Sequence, residues 1–368
     1  MSRPRIIILF QTFPSTILRA AHEAGLVEIV YLSAAHSDSA QARRDWFMSQ
    51  LPGASAAVLW NDIGKFGKEH LDAAGPSFKV LATYSVGYDH VDVAECQRRG
   101  VAVAHTPNKN DDSVANCTLM LLLMAMRRAM EHITLVRQGG WGGLHQASSA
   151  DPLTLTGLSV RRKTVGLYGF GPIAQKVVER ILPMSPRRIL YKASQPRPFT
   201  HNHFPRLHHL VSNFYSETVV RNEPDLVALA AESDVLICLT SLTPETYHSI
   251  DADLLSRMKP SAVLVNMARG PVVDTPALID ALHKDGIFCA AVDVLEGEPD
   301  IRPDHPLLDE SLAHKVIVFP HSASGEADAR WDMGELTARN VLFALGIDVP
   351  EGLDVEGDTG TRYLPVVF

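Results

Sequence analysis

Thr164-Val165-Gly166-Leu167-Tyr168-Gly169-Phe170-Gly171-Pro172-Ile173-Ala174 is the stretch on which the fold turns. Its first five residues, Thr164–Tyr168, make a short strand candidate, and Ala174–Leu182 behind them has helical spacing. Between the two lies a glycine fingerprint with alanine in its third place, where only close helix–strand packing is required. Gly169 would allow the tight turn, and Gly171 would let the backbone approach a pyrophosphate at the helix N-terminus. Phe170 and Ile173 share that turn, and Pro172 suits a first helical turn that needs no N–H. Enzymes that use S-adenosylmethionine share the motif, so a second position has to identify the ligand.

That position is the end of the next strand, about 20 residues on, where an acid would bond the ribose 2′-hydroxyl of NAD. Here Arg188–Tyr191 runs into Lys192-Ala193-Ser194-Gln195-Pro196-Arg197, with no carboxylate. Lys192, Ser194 and Arg197 suit a 2′-phosphate, which points to NADP, as NADPH, with NAD admitted as well. The plainer alternative is a solvated basic loop.

The same alternation of strand and helix extends to both sides. Before the fingerprint, Ile6–Phe10, Ile29–Leu32, Ala56–Leu59, Val80–Thr83 and Val101–His105 read as strands. Thr16–Ala24 and Asp92–Arg99 read as helices, followed by Gly25 and Gly100 where a C-cap favours glycine. After it come Val235–Leu239, Ala262–Val265, Cys289–Val292 and Val316–Phe319. Continuous apolar strands with helices between them indicate α/β architecture with parallel, doubly wound sheets. Two sheets separated by a long helix, Asp111 to Met130, fit better than one. That helix is apolar nearly all round, as expected where a helix is buried between domains or subunits. Thr200–Glu223 reads as an irregular surface excursion. Ala327–Leu345 is a final helix that could return to the first domain.

Composition narrows the function. The 368 residues carry a formal charge of −8, with 46% hydrophobic and 21% charged residues. The chain can bury a sizeable core, while a nucleic-acid or anionic-membrane partner would need a basic surface. Cys96, Cys117, Cys238 and Cys289 lie far apart in apolar runs, so buried thiols in a reducing compartment are expected rather than disulfides or zinc. The N-terminal apolar run is too short for a signal peptide, and Leu119–Met126 is well below the ~20 residues of a membrane span. A soluble, cytoplasmic protein is expected. His201, His203, His208 and His209 lack cysteine or clustered carboxylate in register, so no metal is expected.

Polar residues stand where strands end, which is where open α/β sheets bind ligands. Ala262–Val265 leads to Ala268-Arg269-Gly270, Cys289–Val292 to Asp293 and Glu296-Gly297-Glu298-Pro299, and Val316–Phe319 to Pro320-His321. An arginine can grip a carboxylate with two parallel bonds, and a glutamate beside a histidine favours the protonated ring. Together they would hold and protonate a 2-keto acid. Singly, each has a bland reading: a surface ion pair, a loop histidine, a helix cap.

With Ser85-Val86-Gly87-Tyr88-Asp89-His90, Thr106-Pro107 and Gly139-Gly140-Trp141 added, the chain up to about Leu345 resembles the D-isomer-specific 2-hydroxyacid dehydrogenases, in particular the glyoxylate/hydroxypyruvate reductase branch. The resemblance implies two doubly wound parallel-sheet domains with the active site in the cleft between them. A flavodoxin-like substrate domain would span 1–108 plus 322–368, and a Rossmann cofactor domain 109–321. It implies reduction of a small 2-keto acid to the D-2-hydroxy acid. Arg269 would bind the carboxylate and polarise the keto oxygen, His321 would be the acid/base and Glu298 its partner. The amides of Val86 and Gly87 would also hold the carboxylate. Asp293 and Ser324 would lie by the nicotinamide, with Ala268 in the cofactor loop. Leu59, Trp60 and Asn61 end a strand near the expected pocket. A homodimer is implied, with Trp141 reaching the neighbouring subunit's site. Asn116 stands where the family usually has an acid, Pro172 where it has arginine, and Ser322-Ala323-Ser324-Gly325 departs from its usual Ile-Gly-Ser-Ala. A rival within the same fold is a nicotinamide-sensing corepressor-like scaffold.

Overall fold

The computed structural model describes residues 3–60 and 63–350. Asn61 and the tail from 351 lie outside them. The chain divides into two compact units, 1–110 with 325–368, and 111–324. The expected boundaries differ from these by two or three residues.

In the first unit β1 (Arg5–Ile8), α1 (Thr16–Glu23), β2 (Glu28–Tyr31), α2 (Ala40–Gln50), β3 (Ala56–Leu59), α3 (Lys68–Ala74), β4 (Val80–Thr83), α4 (Val93–Arg98) and β5 (Ala102–Ala104) alternate along the chain. The strands form one parallel sheet in the order β2-β1-β3-β4-β5. That is the flavodoxin-like order, whose switch point lies between β1 and β3. Ser15 and Asp92 cap α1 and α4 by accepting from Leu18 and Glu95 N–H, and Gly25 and Gly100 follow with φ of 71° and 68°.

The second unit begins with α5 (Asp111–Met126), α6 (Ala129–Arg137) and α7 (Trp141–Ala150). Then follow β6 (Thr164–Tyr168), α8 (Pro172–Ile181), β7 (Arg188–Lys192), α9 (Pro205–Phe214), β8 (Val219–Asn222) and α10 (Leu226–Glu232). The unit closes with β9 (Val235–Cys238), α11 (Ala252–Arg257), β10 (Val263–Asn266), α12 (Thr275–His283), β11 (Cys289–Val292) and β12 (Val316–Val318). Its seven parallel strands lie in the order β12-β11-β10-β9-β6-β7-β8, so the chain winds outward in both directions from β6 and β9. The last helix, α13 (Ala327–Ala344), belongs to the first unit. Met333, Ala338, Val341 and Leu342 pack there with Ile6, Ile8 and Ile17, and the Glu335 carboxylate accepts from Thr16 N–H at the start of α1.

Two expectations need correction. The long helix stops at Met126, not Met130, and Arg128 takes a left-handed φ of 53° before α6. The chain returns there: Leu158 N–H donates to Met126 O, and a Cβ on Gly157 would lie 2.3 Å from that same oxygen. One face of α5 (Val114, Ala115, Leu121, Leu122, Ala125) is buried within its own unit, while Met120 is exposed. Thr200–Glu223 is not an irregular excursion but holds α9 and β8, an edge strand of the seven-stranded sheet. Leu207 and Val211 bury one side of α9, and β8 pairs with β7. Among the described residues no helix is long and apolar enough to cross a membrane.

Candidate active site

Gly169 has a φ of 100°, and a Cβ there would lie 2.5 Å from the Leu239 carbonyl, so only glycine fits where β6 turns past β9. Gly171 faces open space at the N-terminus of α8, with Pro172 as its first residue, and Ala174 is buried beneath. A phosphate group could therefore approach the backbone where β6 and β9 part, and the residues present fit a dinucleotide. Phe170 is a partial correction. Its ring stacks on Tyr191 with centroids 3.8 Å apart inside the core, so only its backbone can serve a ligand. Ile173 is half-buried on the first turn of α8.

Beyond β7, Ser194 and Arg197 are exposed, and Lys192 Nζ donates to Pro224 O at 2.7 Å. The backbone of this loop is tied down by Tyr191 OH, which donates to Arg197 O. No carboxylate occupies the stretch from 192 to 197.

The loops after β10, β11 and β12 carry a set of linked polar residues. Asn266 shapes the first, accepting from Ala268 N–H while its amide donates to Arg269 O. Arg269 Nη1 donates to Ala268 O at 2.8 Å. Gly270 must be glycine, because a Cβ would meet the Leu295 carbonyl carbon at 2.0 Å. That close approach packs the Arg269 loop on the loop carrying Glu298.

His321 holds a left-handed φ of 51°, and its N–H donates to Asp293 O at 2.7 Å. Its ring Nδ1 lies 2.7 Å from Glu298 Oε2. An Nδ1–H donated to the carboxylate would fix the tautomer and orientation of the ring. Asp293 is 2% exposed, with one oxygen accepting from Ser322 N–H and the other from Ala323 N–H. Burial pushes its carboxyl above the ordinary aspartate value, against the pull of those two amides and of His321. Each oxygen keeps a lone pair for a further donor. Ser324 is buried two residues on.

In the first unit Ser85 Oγ donates to Gly87 O and His105 Nδ1 lies 2.9 Å from Val86 O. Both carbonyls are thus engaged, and among the described residues none accepts from the Val86 or Gly87 amides. Such a pair of open amides is an anion-binding arrangement. Trp60 stands at the end of β3, at the switch point, with the Arg330 guanidinium 4.7 Å from its ring centroid. Leu59 is fully buried in the core with Ile7 and Phe47, because both faces of this sheet are covered, so its side chain is not open to a ligand. Trp141 opens α7 and is 65% exposed.

Sequence reading missed three contacts. Where the family usually has an acid, Asn116 accepts from Arg180 Nε, while Asp112 one turn earlier takes the ion pair with Arg180. Arg330 over Trp60 gave no local signal. The third is a second histidine–glutamate pair, His248 with Glu296. Its hint was Thr243–His248, another polar turn following a parallel strand.

A glycine-turn dinucleotide fold with an arginine and a histidine–carboxylate pair at the strand ends defines a nicotinamide-dependent oxidoreductase class. Residues 119–323 match the family described as D-isomer specific 2-hydroxyacid dehydrogenase, NAD binding domain. The chain is 38% identical over 299 residues to a glyoxylate reductase of Thermofilum pendens, covering 81% of this chain and 80% of that one. It is 36% identical over 310 residues to the mouse glyoxylate reductase/hydroxypyruvate reductase, covering 84% and 86%. Among solved structures it resembles an NADPH-dependent glyoxylate/hydroxypyruvate reductase from Sinorhizobium meliloti in complex with NADP and malonate, with TM-score 0.73, 30% identity and coverage of 94% and 95%. The chain belongs to the D-isomer-specific 2-hydroxyacid dehydrogenase family.

Proposed function

We propose that this protein reduces a small 2-keto acid, of the glyoxylate or hydroxypyruvate kind, to the D-2-hydroxy acid using NADPH. The observation that carries the reading is the His321–Glu298 pair beside Arg269, at the carboxyl end of the same sheet that presents the glycine turn. Gly169 to Ile173 would hold the pyrophosphate, and Lys192, Ser194 and Arg197 the 2′-phosphate. When bound, the reduced nicotinamide supplies the hydride to the keto carbon. Arg269 anchors the substrate carboxylate and polarises the keto oxygen, and its planar fork suits both tasks. His321 gives the Nε2 proton to the forming alkoxide, and Glu298 keeps the ring oriented through Nδ1. We assign the Val86 and Gly87 amides to the substrate carboxylate and Asp293, Ser324 and Ala268 to the nicotinamide end.

The named relatives are reductases, which disfavours the sensing scaffold. Exposed Met130, Ile133, Val136, Trp141 and Leu153 gather on and beside α6 and α7, and we assign this apolar surface to a homodimer contact. Trp141→Ala is then expected to weaken selection among keto acids while NADPH binding persists. Sedimentation showing a stable, active monomer would exclude that role. The four cysteines form no disulfide, and burial pushes the Cys96, Cys238 and Cys289 thiols up to about 12, in keeping with a reducing, cytoplasmic setting. The acidic net charge supports neither nucleic acid nor membrane as partner.

The decisive assay is loss of NADPH absorbance with a panel from glyoxylate and hydroxypyruvate to phenylglyoxylate. Turnover of the small acids is expected. Turnover of none, at saturating NADPH and NADH, would overturn the reading.

A further inference from the structure

Glu296 and Glu298 stand two residues apart on one loop, and each meets a histidine. Glu298 meets His321, as described. Glu296 meets His248, whose Nε2 lies 3.2 Å and 3.1 Å from the two carboxylate oxygens. Tyr247 backs this second pair: its ring stacks on His248 with centroids 4.1 Å apart, and its OH donates to Glu296 Oε1 at 3.4 Å.

His248 also has a second attachment. Its backbone N–H donates to Pro271 O at 2.8 Å, two residues past Arg269. The contact continues beyond it, with Ile250 N–H to Val272 O and Asp274 N–H to Ile250 O. One residue therefore grips both polar loops, one through its backbone and the other through its ring. It makes both attachments with a left-handed φ of 47°. The pairing is more than surface decoration, since both side chains are about one-third exposed or less, at 29% and 32%.

We propose that His248, braced by Tyr247, is a positioning residue for the reduction, locking the Arg269 loop to the Glu296–Glu298 loop so that Glu298 presents His321 correctly. The proposal rests on the function proposed above. Neither His248 nor Glu296 need touch substrate; they act through Glu298 and Arg269. The reason such a lock matters is geometric, because a misplacement of about 1 Å at a reacting group can cost about a hundredfold in rate.

The test variant is His248→Gly. Glycine accepts the positive φ and keeps the N–H to Pro271 O, so the imidazole alone is removed. With glyoxylate or hydroxypyruvate, kcat is expected to fall about tenfold or more. The NADPH dissociation constant, read by fluorescence titration, should stay within about twofold of wild type, as for loss of a transition-state interaction. Glu296→Ala should give the same loss, and the double variant should be no worse than either. In a Glu298→Gln background the His248→Gly substitution should cost much less, because the group it positions is gone. Unchanged kcat, or a loss that multiplies in full in that background, would overturn the positioning role. A wild-type protein that reduces no 2-keto acid would overturn the function and this proposal together, whereas an active wild type matched by an equally active His248→Gly overturns this proposal alone.

Discussion

Two sets of loops leave the carboxyl edge of the same seven-stranded sheet, and they are built in opposite ways. The loops after β10, β11 and β12 are cross-tied by side chains: Asn266 shapes one, Asp293 holds two amides of another, and His248 joins two of them. The loop after β7 is held at its backbone by Tyr191 OH, but its Ser194 and Arg197 side chains are exposed, and Lys192 at the end of β7 donates to a carbonyl that water could replace. Proton transfer demands one geometry, and tolerance of error there is small. Recognition of a phosphate needs charge within reach, which flexible, solvated side chains supply. On the proposed assignments, the difference teaches that rigidity is concentrated where bonds would break, and adaptability where charge would be read.

The sharpest way to break the comparison is to remove the proposed proton donor. His321→Ala should cost kcat/KM on the order of 10²–10⁴-fold. Arg269→Lys keeps the charge but loses the fork, and should both raise KM for the keto acid and lower kcat. Both are read by steady-state kinetics. A His321→Ala protein within about threefold of wild type would remove the histidine from the chemistry.

Asp293 tests whether the tied loops accept a cost for their order. Its carboxyl lies above the ordinary value of 3.8 because it is buried. In the unfolded chain it ionises first as pH rises. Stability from the protonated folded form is therefore complete below the ordinary value and lost as pH climbs through the raised one. Above that window the ionised group is a constant burden, kept for the amides of Ser322 and Ala323. Asp293→Asn abolishes the titration but leaves one of those amides facing an NH2 group, a loss of about 1–3 kcal/mol. Thermal melts from acid pH to neutrality should show wild type losing ground to the Asp293→Asn variant as pH rises, then a constant gap. A gap independent of pH would mean that Asp293 carries no burial penalty.

Much of this was visible in residue pattern alone, and what was not has identifiable causes. Ala56–Leu59, Val80–Thr83, Thr164–Tyr168 and Cys289–Val292 are strands with the bounds expected, because each is an apolar run ended by a polar turn. β8 was hidden: only Val219 and Val220 are β-branched, and as an edge strand it is half exposed. The end of α5 was hidden as well, since Arg127 and Arg128 are good helix formers and the stop comes from Gly157 and Leu158, about thirty residues away in sequence. Arg269, Glu298 and His321 stand out because each follows a parallel strand. Leu59 misled because the sheet is covered on both faces, so even the strand's last residue is buried. The His248–Glu296 contact spans 48 residues of sequence, and no spacing rule joins them.

The smallest effect concerns the open loop, and it sharpens the comparison most. If charge within reach is all the loop after β7 supplies, wild type should favour NADPH over NADH in kcat/KM by about tenfold or more, one charged contact's worth. Lys192→Ala with Arg197→Ala should erase most of that preference while leaving NADH kinetics nearly untouched, because the one tie these side chains make, Lys192 to Pro224 O, is exposed and replaceable by water. Each single change should cost only part of it, since the remaining cation and Ser194 can shift toward the phosphate. The preference should also shrink as salt rises, because exposed charges are screened over a Debye length of ~8 Å at physiological ionic strength and less above it. The same substitutions should leave the His321-dependent rate with saturating NADPH intact. A wild type that prefers NADH would remove the phosphate reading of Lys192, Ser194 and Arg197. A double variant that loses kcat with both cofactors would show instead that this loop is as mechanically coupled as the ones beyond β10, and the contrast between the two sets of loops would fall.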